Sequence, residues 1–290
     1  MNVCVLGAGA MGSAMTARMR ERAFEVRVWD RTWEKAEALG ASGARPFREI
    51  AEAVADADVV LTMLADGAAV LSTMDRALAA MRGGAIWLQM STIGVDATTQ
   101  AIALARRRPD VAFVDAPVSG STGPARAGAL TILASGPKAS IDALGPPFAA
   151  LGHRTVWLGD AGAGSRMKLV LNSWLAMLVE GTAEFAALAK TLGVPLERVA
   201  ECLQGGPLDA LLVRSKLAKI GAGAFDSEFS LANAAKDVRL ALQADSESGG
   251  GGLPMLEALD REWRQPLAAG LGDQDVSVVY LALLPAGGIR

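Results

Sequence analysis

The sequence predicts an α/β domain built on a parallel sheet, followed by an all-α domain. Three observations carry this expectation. Over the first half, short apolar runs alternate with stretches of helical spacing. A glycine-rich junction then interrupts the chain at Gly159-Asp-Ala-Gly-Ala-Gly164. Beyond it, almost every apolar residue falls at a helical period. The boundary is placed near residue 162, giving domains 1–161 and 162–290. A chain of 290 residues, 51% of them apolar, is long enough for two ordinary cores.

The elements follow in order. Val3 to Leu6 is a short buried strand, Ala10 to Arg22 has helical spacing, and Glu25 to Trp29 alternates as a second strand. Asp58 to Leu64, Ala85 to Met90 and Val111 to Asp115 are further strands. Helices at Ala68 to Met81 and Asp96 to Arg108 lie among them. This rhythm implies parallel strands covered on both faces. Two more strands, Leu130 to Ala134 and Thr155 to Leu158, frame a helix around Ser140 to Ala150. In the second half, helices are expected at Met167 to Leu192, Leu196 to Leu203, Leu208 to Ile220, Leu231 to Ala244, Pro254 to Arg264 and Val276 to Leu284. The first half of the first of these is apolar nearly all round, which predicts burial within a helical domain or between subunits.

Gly7-Ala8-Gly9-Ala10-Met11-Gly12 is a G-x-G-x-x-G placed between the first strand and the first helix. Gly7 permits a tight turn, Gly9 lets the backbone approach a pyrophosphate, and Gly12 lets helix and strand pack closely. The helix N-terminus, beginning at Ala10 and Met11, offers N–H groups to phosphate. In that context the pattern predicts a Rossmann-type dinucleotide-binding domain. The second strand ends at Asp30-Arg31-Thr32, with Lys35 close behind. Asp30 stands where an acidic residue binds the adenine ribose of NAD. Arg31, Thr32 and Lys35 suit the 2′-phosphate of NADP instead, so these residues point both ways.

Composition excludes several classes. A net charge of −3 implies no broad basic surface for nucleic acid. Cys4 and Cys202 are the only cysteines and neither has a metal-ligand neighbourhood. No metal site is expected, and a reduced, cytoplasmic setting fits. Met1 runs straight into a strand, without a leader pattern. The most apolar stretch, Leu169 to Val179, is broken by Asn172 and Ser173 and falls short of the roughly 20 residues that cross a bilayer. His153 is the sole histidine and reads as part of a solvent-facing turn, which leaves no histidine triad or histidine-zinc chemistry.

Lys168 and Asn172 stand at i and i+4 on one face of the helix that follows the junction. A lysine beside so much apolar surface is expected to be partly desolvated, and partial desolvation of an ammonium favours its neutral form. A snorkelling surface lysine is the other reading of the same pattern.

Four segments in order resemble the β-hydroxyacid dehydrogenase family, which includes 3-hydroxyisobutyrate dehydrogenases. They are VLGAGAMGSAM at the start, DAPVSGSTGPARAGALTILASG (Asp115 to Gly136), GAGSRMKLVLNSW (Gly162 to Trp174) and FSLANAAKDVRLAL (Phe229 to Leu242). The middle two are most similar to the glyoxylate/succinic semialdehyde reductase branch, as is MLAD at Met63 to Asp66. The resemblance implies an oxidoreductase that interconverts a small carboxylated aldehyde or ketone and its hydroxyacid, with Lys168 as general acid/base and Asn172 orienting the substrate oxygen. It implies substrate contacts from Ser119, Gly120, Ser121 and Phe229. Cofactor contacts are implied for Met63, Leu64, Ala65, Thr92 and Lys236, with Asp237 in a structural role. That branch prefers NADPH and carries Asn where this chain has Asp30; since Arg31, Thr32 and Lys35 match, NADP(H) is expected over NAD(H).

Two rival readings share parts of this pattern. An imine reductase shares such a fold and cofactor, but Lys168 and Asn172 argue against it. A non-catalytic NADP-binding protein is free to lose Lys168, Asn172 and Ser119, and all are present. The apolar helix from Met167 onward predicts a homo-oligomer, dimer or tetramer, with no nucleic-acid or membrane partner.

Overall fold

The computed structural model of the chain describes residues 1–284. It divides into two compact units, Met1–Lys168 and Leu169 onward. The dividing point falls inside one helix, four residues after the junction glycines end.

The first unit is built on six parallel strands. They are β1 (Asn2–Leu6), β2 (Glu25–Trp29), β3 (Arg45–Pro46), β4 (Val59–Thr62), β5 (Ile86–Gln89) and β6 (Ala112–Asp115), in the spatial order β3-β2-β1-β4-β5-β6. Strand residues alternate between two cores, as a pleat requires. Val3, Val5, Leu61 and Leu88 join one core with Met15 and Met19 of α1 (Ala10–Glu21). Cys4, Leu6, Val60 and Trp87 join the other with Met74 of α4 (Gly67–Ala77) and Leu104 of α5 (Gly94–Ala105). Burial pushes the Cys4 thiol up to about 12, against a smaller opposing pull from Arg27. That cysteine is core material, as its place in an apolar run suggests.

A second sheet has the order β7-β8-β9, from Val118–Ser119, Leu130–Ala134 and Gly152–Trp157. β7 runs antiparallel to β8, and β9 runs parallel to it. A single bridge between Asp115 and Ser135 joins it to the end of β6. α6 (Thr122–Ala127) and α7 (Ile141–Leu151) complete this region.

α8 (Ala163–Thr191) crosses the dividing point. The second unit adds α9 (Leu196–Leu203), α10 (Leu211–Ala222), α11 (Leu231–Glu247), α12 (Pro254–Ala268) and a 3₁₀ segment, Val276–Leu283. Three polar ties hold it, the first two buried and the third, made by two arginines, at its surface. Trp263 Nε1 donates to Glu180 at 2.6 Å. Lys216 Nζ reaches both oxygens of Asp275, at 2.8 and 3.0 Å. Arg239 and Arg264 each donate to Asp260 at 2.8 Å. Burial works against the Asp275 charge, but the bonds and charge of Lys216 and the Ser277 hydroxyl hold its carboxyl below the usual range.

The alternation of strands and helices expected from the sequence is present, but β7 and α6 are additions to it, and three further differences stand out. Short elements between residues 33 and 54 were not anticipated: α2 (Trp33–Ala38), β3 and α3 (Ile50–Val54). His153 is exposed but lies in strand β9, where its Nδ1 is 2.8 Å from the Ala129 carbonyl oxygen, rather than in a turn. The stretch from Val276 winds as a 3₁₀ helix instead of an α-helix.

Candidate active site

The glycine loop shows why each glycine is where it is. Gly7 has φ of +113°, and a Cβ on it would meet the Met63 carbonyl oxygen at 2.2 Å. A Cβ on Gly12 would meet the Gly7 carbonyl oxygen at 1.9 Å. Gly9 differs, since a Cβ there would meet nothing within 4 Å. The first two positions thus need glycine for packing, whereas the third faces open space that a ligand can approach. α1 starts immediately after Gly9, with no acidic residue in its first turn, and its first internal bond runs from Ser13 N–H to Gly9. The N–H groups of Ala10, Met11 and Gly12 precede that bond and carry the positive end of the helix.

Neighbouring strand ends complete this corner. Asp30 accepts the Ala8 N–H at 2.7 Å and the Thr32 N–H at 2.8 Å, so its carboxylate ties the glycine loop to the start of α2. Arg31, Thr32 and Lys35 are exposed there. Met63 donates its N–H to Leu6, and Leu64 donates its N–H to the Ser91 hydroxyl at 2.8 Å. Ala65 is exposed, and Thr92 directly follows Ser91. The expected cofactor residues of this unit therefore gather at the C-terminal ends of β1, β2, β4 and β5. That edge is where doubly wound sheets bind ligands. The donor set fits a dinucleotide: free helix-end N–H groups and an unfilled approach at Gly9 for the pyrophosphate, with cations beyond β2.

Ser119 ends β7, and Ser121 directly precedes α6, without a capping bond from its hydroxyl. Between them Gly120 has φ of +128°, and a Cβ on it would lie 2.7 Å from Leu130 Cδ2. The turn is thus held open by a residue that only glycine can supply. Lys168 and Asn172 sit one turn apart on α8 and both are buried, at 9% and 6% exposure. Asn172 Nδ2 donates to Asp237 Oδ2, which fixes the plane of the carboxamide. The other Asp237 oxygen lies 3.1 Å from Lys236 Nζ. Phe229 is half-buried in the loop before α11, and its carbonyl accepts the Val276 N–H at 2.9 Å.

Sequence reasoning missed the support beneath these residues. Ser91 bridges the loops after β4 and β5, and Gln89 accepts the Ser91 N–H at 2.8 Å. Asp115 and Ser165, 50 residues apart, bond at 2.7 and 2.8 Å. No local periodicity announces such pairs. Among the described residues, no group of three or more His, Cys, Asp and Glu side chains is arranged to hold a metal ion. No described helix is long and apolar enough to cross a membrane.

Comparison with known proteins follows the same division. Residues 2–159 match the family described as the NAD binding domain of 6-phosphogluconate dehydrogenase. Residues 162–283 match that of NADP-dependent 3-hydroxyisobutyrate dehydrogenase. Glyoxylate/succinic semialdehyde reductase 1 of Arabidopsis thaliana is 32% identical over 286 residues, covering 98% of both chains. Cytokine-like nuclear factor N-PAC of Gallus gallus is 30% identical over 282 residues, 96% of this chain but 51% of that protein. The solved structure of Mycobacterium tuberculosis 3-hydroxyisobutyrate dehydrogenase with L-serine superposes with a TM-score of 0.88 at 29% identity, over 98% of this chain and 99% of that one. A Rossmann-type unit carrying this glycine loop, an all-helical unit after it, and a reductase relative matched along nearly its whole length agree: the chain belongs to the 3-hydroxyisobutyrate dehydrogenase-related, or β-hydroxyacid dehydrogenase, family.

Proposed function

We propose that this protein is an NADP(H)-preferring oxidoreductase that interconverts a small carboxylated aldehyde or ketone and its hydroxyacid, of the glyoxylate/succinic semialdehyde reductase kind. The observation that carries the reading is the pairing of buried Lys168 with buried Asn172 on one face of α8. A lysine and a carboxamide held at that spacing are a proton donor and an orienting group for one oxygen atom. When bound, the nicotinamide supplies or accepts a hydride at the substrate carbon. The Lys168 ammonium donates a proton to the developing alkoxide and stabilises its charge; in the other direction neutral Lys168 takes the proton back. Asn172, fixed by Asp237, orients the substrate oxygen. Ser119, Gly120 and Ser121 hold the substrate carboxylate through N–H and hydroxyl groups, with Phe229 as an apolar wall. Lys236 serves the nicotinamide end.

The preference for NADP(H) rests on Arg31, Thr32 and Lys35, exposed beyond β2, while Asp30 is occupied by the Ala8 and Thr32 N–H groups. We further propose the functional division at residues 161 and 162, a homo-oligomer of at least two chains, and a reducing, cytoplasmic setting in which Cys4 and Cys202 stay free.

The test is NADPH consumption with a panel of carboxylated aldehydes, 2-oxoacids and cyclic imines. Turnover of an aldehyde or oxoacid is expected. Turnover of imines alone would replace this reading with an imine reductase, and no turnover with tight NADPH binding would favour a non-catalytic role. Lys168→Ala should lower the single-turnover rate by about 10²–10⁴ while NADPH binding is nearly unchanged. Lys168→Arg should fail as well, because a guanidinium is a poor proton donor. An alanine variant keeping more than about a tenth of the rate would remove Lys168 from the mechanism.

A further inference from the structure

Asp115 is fully buried at the end of β6. Its Oδ2 accepts the Ser165 N–H at 2.8 Å, and its Oδ1 accepts the Ser165 hydroxyl at 2.7 Å. Ser135 Oγ lies 3.2 Å from Asp115 Oδ2 and accepts the Gly164 N–H at 2.9 Å. Thr98 Oγ1, on α5, lies 3.0 Å from Ser165 Oγ. Gly164 is pressed so closely into this cluster that a Cβ would fall 2.2 Å from the Leu133 carbonyl oxygen. The carboxylate thus meets the open N–H groups of the first turn of α8, where a negative charge is favoured.

Two stretches of the candidate active site leave from this point. Ser165 precedes Lys168 by three residues, slightly less than one turn of the same helix. In the other direction Asp115 leads through Ala116, Pro117 and Val118 to Ser119. That segment is pinned by Ala116 N–H to Gln89 at 2.7 Å and by Leu133 N–H to Pro117 at 2.9 Å. Burial pushes the Asp115 carboxyl up, opposed by the Ser165 and Ser135 bonds. A fully apolar substitute would avoid that burial cost, yet it could not clamp the helix start.

We propose that Asp115, acting through Ser165, is a positioning residue that sets the first turn of α8, and with it Lys168, in register with the Ser119–Gly120–Ser121 loop. The proposal rests on the reading of Lys168 as proton donor. A displacement of about 1 Å at a proton donor is enough to cost a hundredfold in rate.

Wild type, Asp115→Asn, Ser165→Ala and Lys168→Ala are compared by kcat, by KM for the aldehyde, by NADPH Kd from fluorescence, by thermal melting, and by the solvent deuterium isotope effect on kcat. Asp115→Asn keeps the shape but presents an N–H₂ group to donors, and should lower kcat by about 10–100-fold, with about threefold to tenfold for Ser165→Ala. Both Kd and KM should stay within about threefold, since the glycine loop and the Gly120 turn are untouched. The isotope effect should grow in both variants as proton donation becomes slower; a purely structural loss would leave it unchanged. Lys168→Ala with wild-type turnover would bring down the proton-donor reading itself. Lys168→Ala dead but a folded Asp115→Asn within threefold of wild-type kcat would overturn only the positioning role. Should Asp115→Asn fail to fold, Ser165→Ala decides, and wild-type kcat with an unchanged isotope effect there would overturn it.

Discussion

At the scale of single residues, Asp30 shows how position and role can separate. It stands where an acidic residue reads the adenine ribose, yet its two oxygens accept the Ala8 and Thr32 N–H groups. Its position is legible in the sequence, but its bonding is not, because Ala8 lies 22 residues away. Arg31→Ala combined with Lys35→Ala should weaken NADPH binding on the order of tenfold or more, the loss of one to two charge-assisted bonds. NADH binding should change little. Titration of both cofactors by fluorescence checks this, and tenfold tighter NADH than NADPH in the wild type would make Asp30 the dominant reader. The glycines were more readable than the acid. Gly7 and Gly12 fill close approaches that their spacing implies, because a strand-turn-helix leaves little freedom there.

At the scale of elements, legibility followed length and periodicity. Glu25–Trp29, Leu130–Ala134 and Leu196–Leu203 could be bounded from apolar spacing alone, since each presents an unbroken pattern between clear stops. β3 could not, since Arg45–Pro46 is too short to alternate. α6 was hidden by Gly123 and Pro124, weak helix formers in a six-residue helix. α8 was legible as a helix, but its polar fastenings were not. One of them makes a pH prediction. Burial raises the Glu180 carboxyl, and the nearby charges of Glu184 and Glu262 add to it, against the Trp263 bond. A carboxyl whose folded pKa is raised favours the fold below its unfolded value, about 4.3, and loses that contribution as pH rises through the folded value. Glu180→Gln keeps an acceptor for Trp263 and removes the charge. It should therefore raise the melting temperature at pH 8, by about 2–4 °C for each kcal/mol regained. It should do so less at pH 5. Equal shifts at both pH values would show that ionisation of Glu180 has no part in stability.

At the scale of the whole molecule, α8 carries two unlike faces. Lys168 and Asn172 are buried, whereas Val170 and Trp174, displaced by two residues or about 200° of helix turn, are 65% and 60% exposed. Leu188 and Leu192 extend the exposed apolar surface toward the end of the helix. Such a run on a single chain points to cover by a second copy. Light scattering at micromolar concentration should give at least a dimer, and Val170→Glu with Trp174→Glu should shift it toward monomer without lowering helical content. A monomeric wild type would count against the assembly.

The placement of the dividing point within α8 bears on how such a chain can be taken apart. Asp115 in the first unit is satisfied by donors from the opening turn of a helix that continues into the second. A gene fragment ended at the glycine junction would strip those donors away and leave the Asp115 carboxylate without both of its short bonds, keeping the Ser135 hydroxyl. The natural seam for dissecting or grafting the nucleotide-binding half thus lies after Lys168, so the half would be transplanted together with a stub of its neighbour's longest helix.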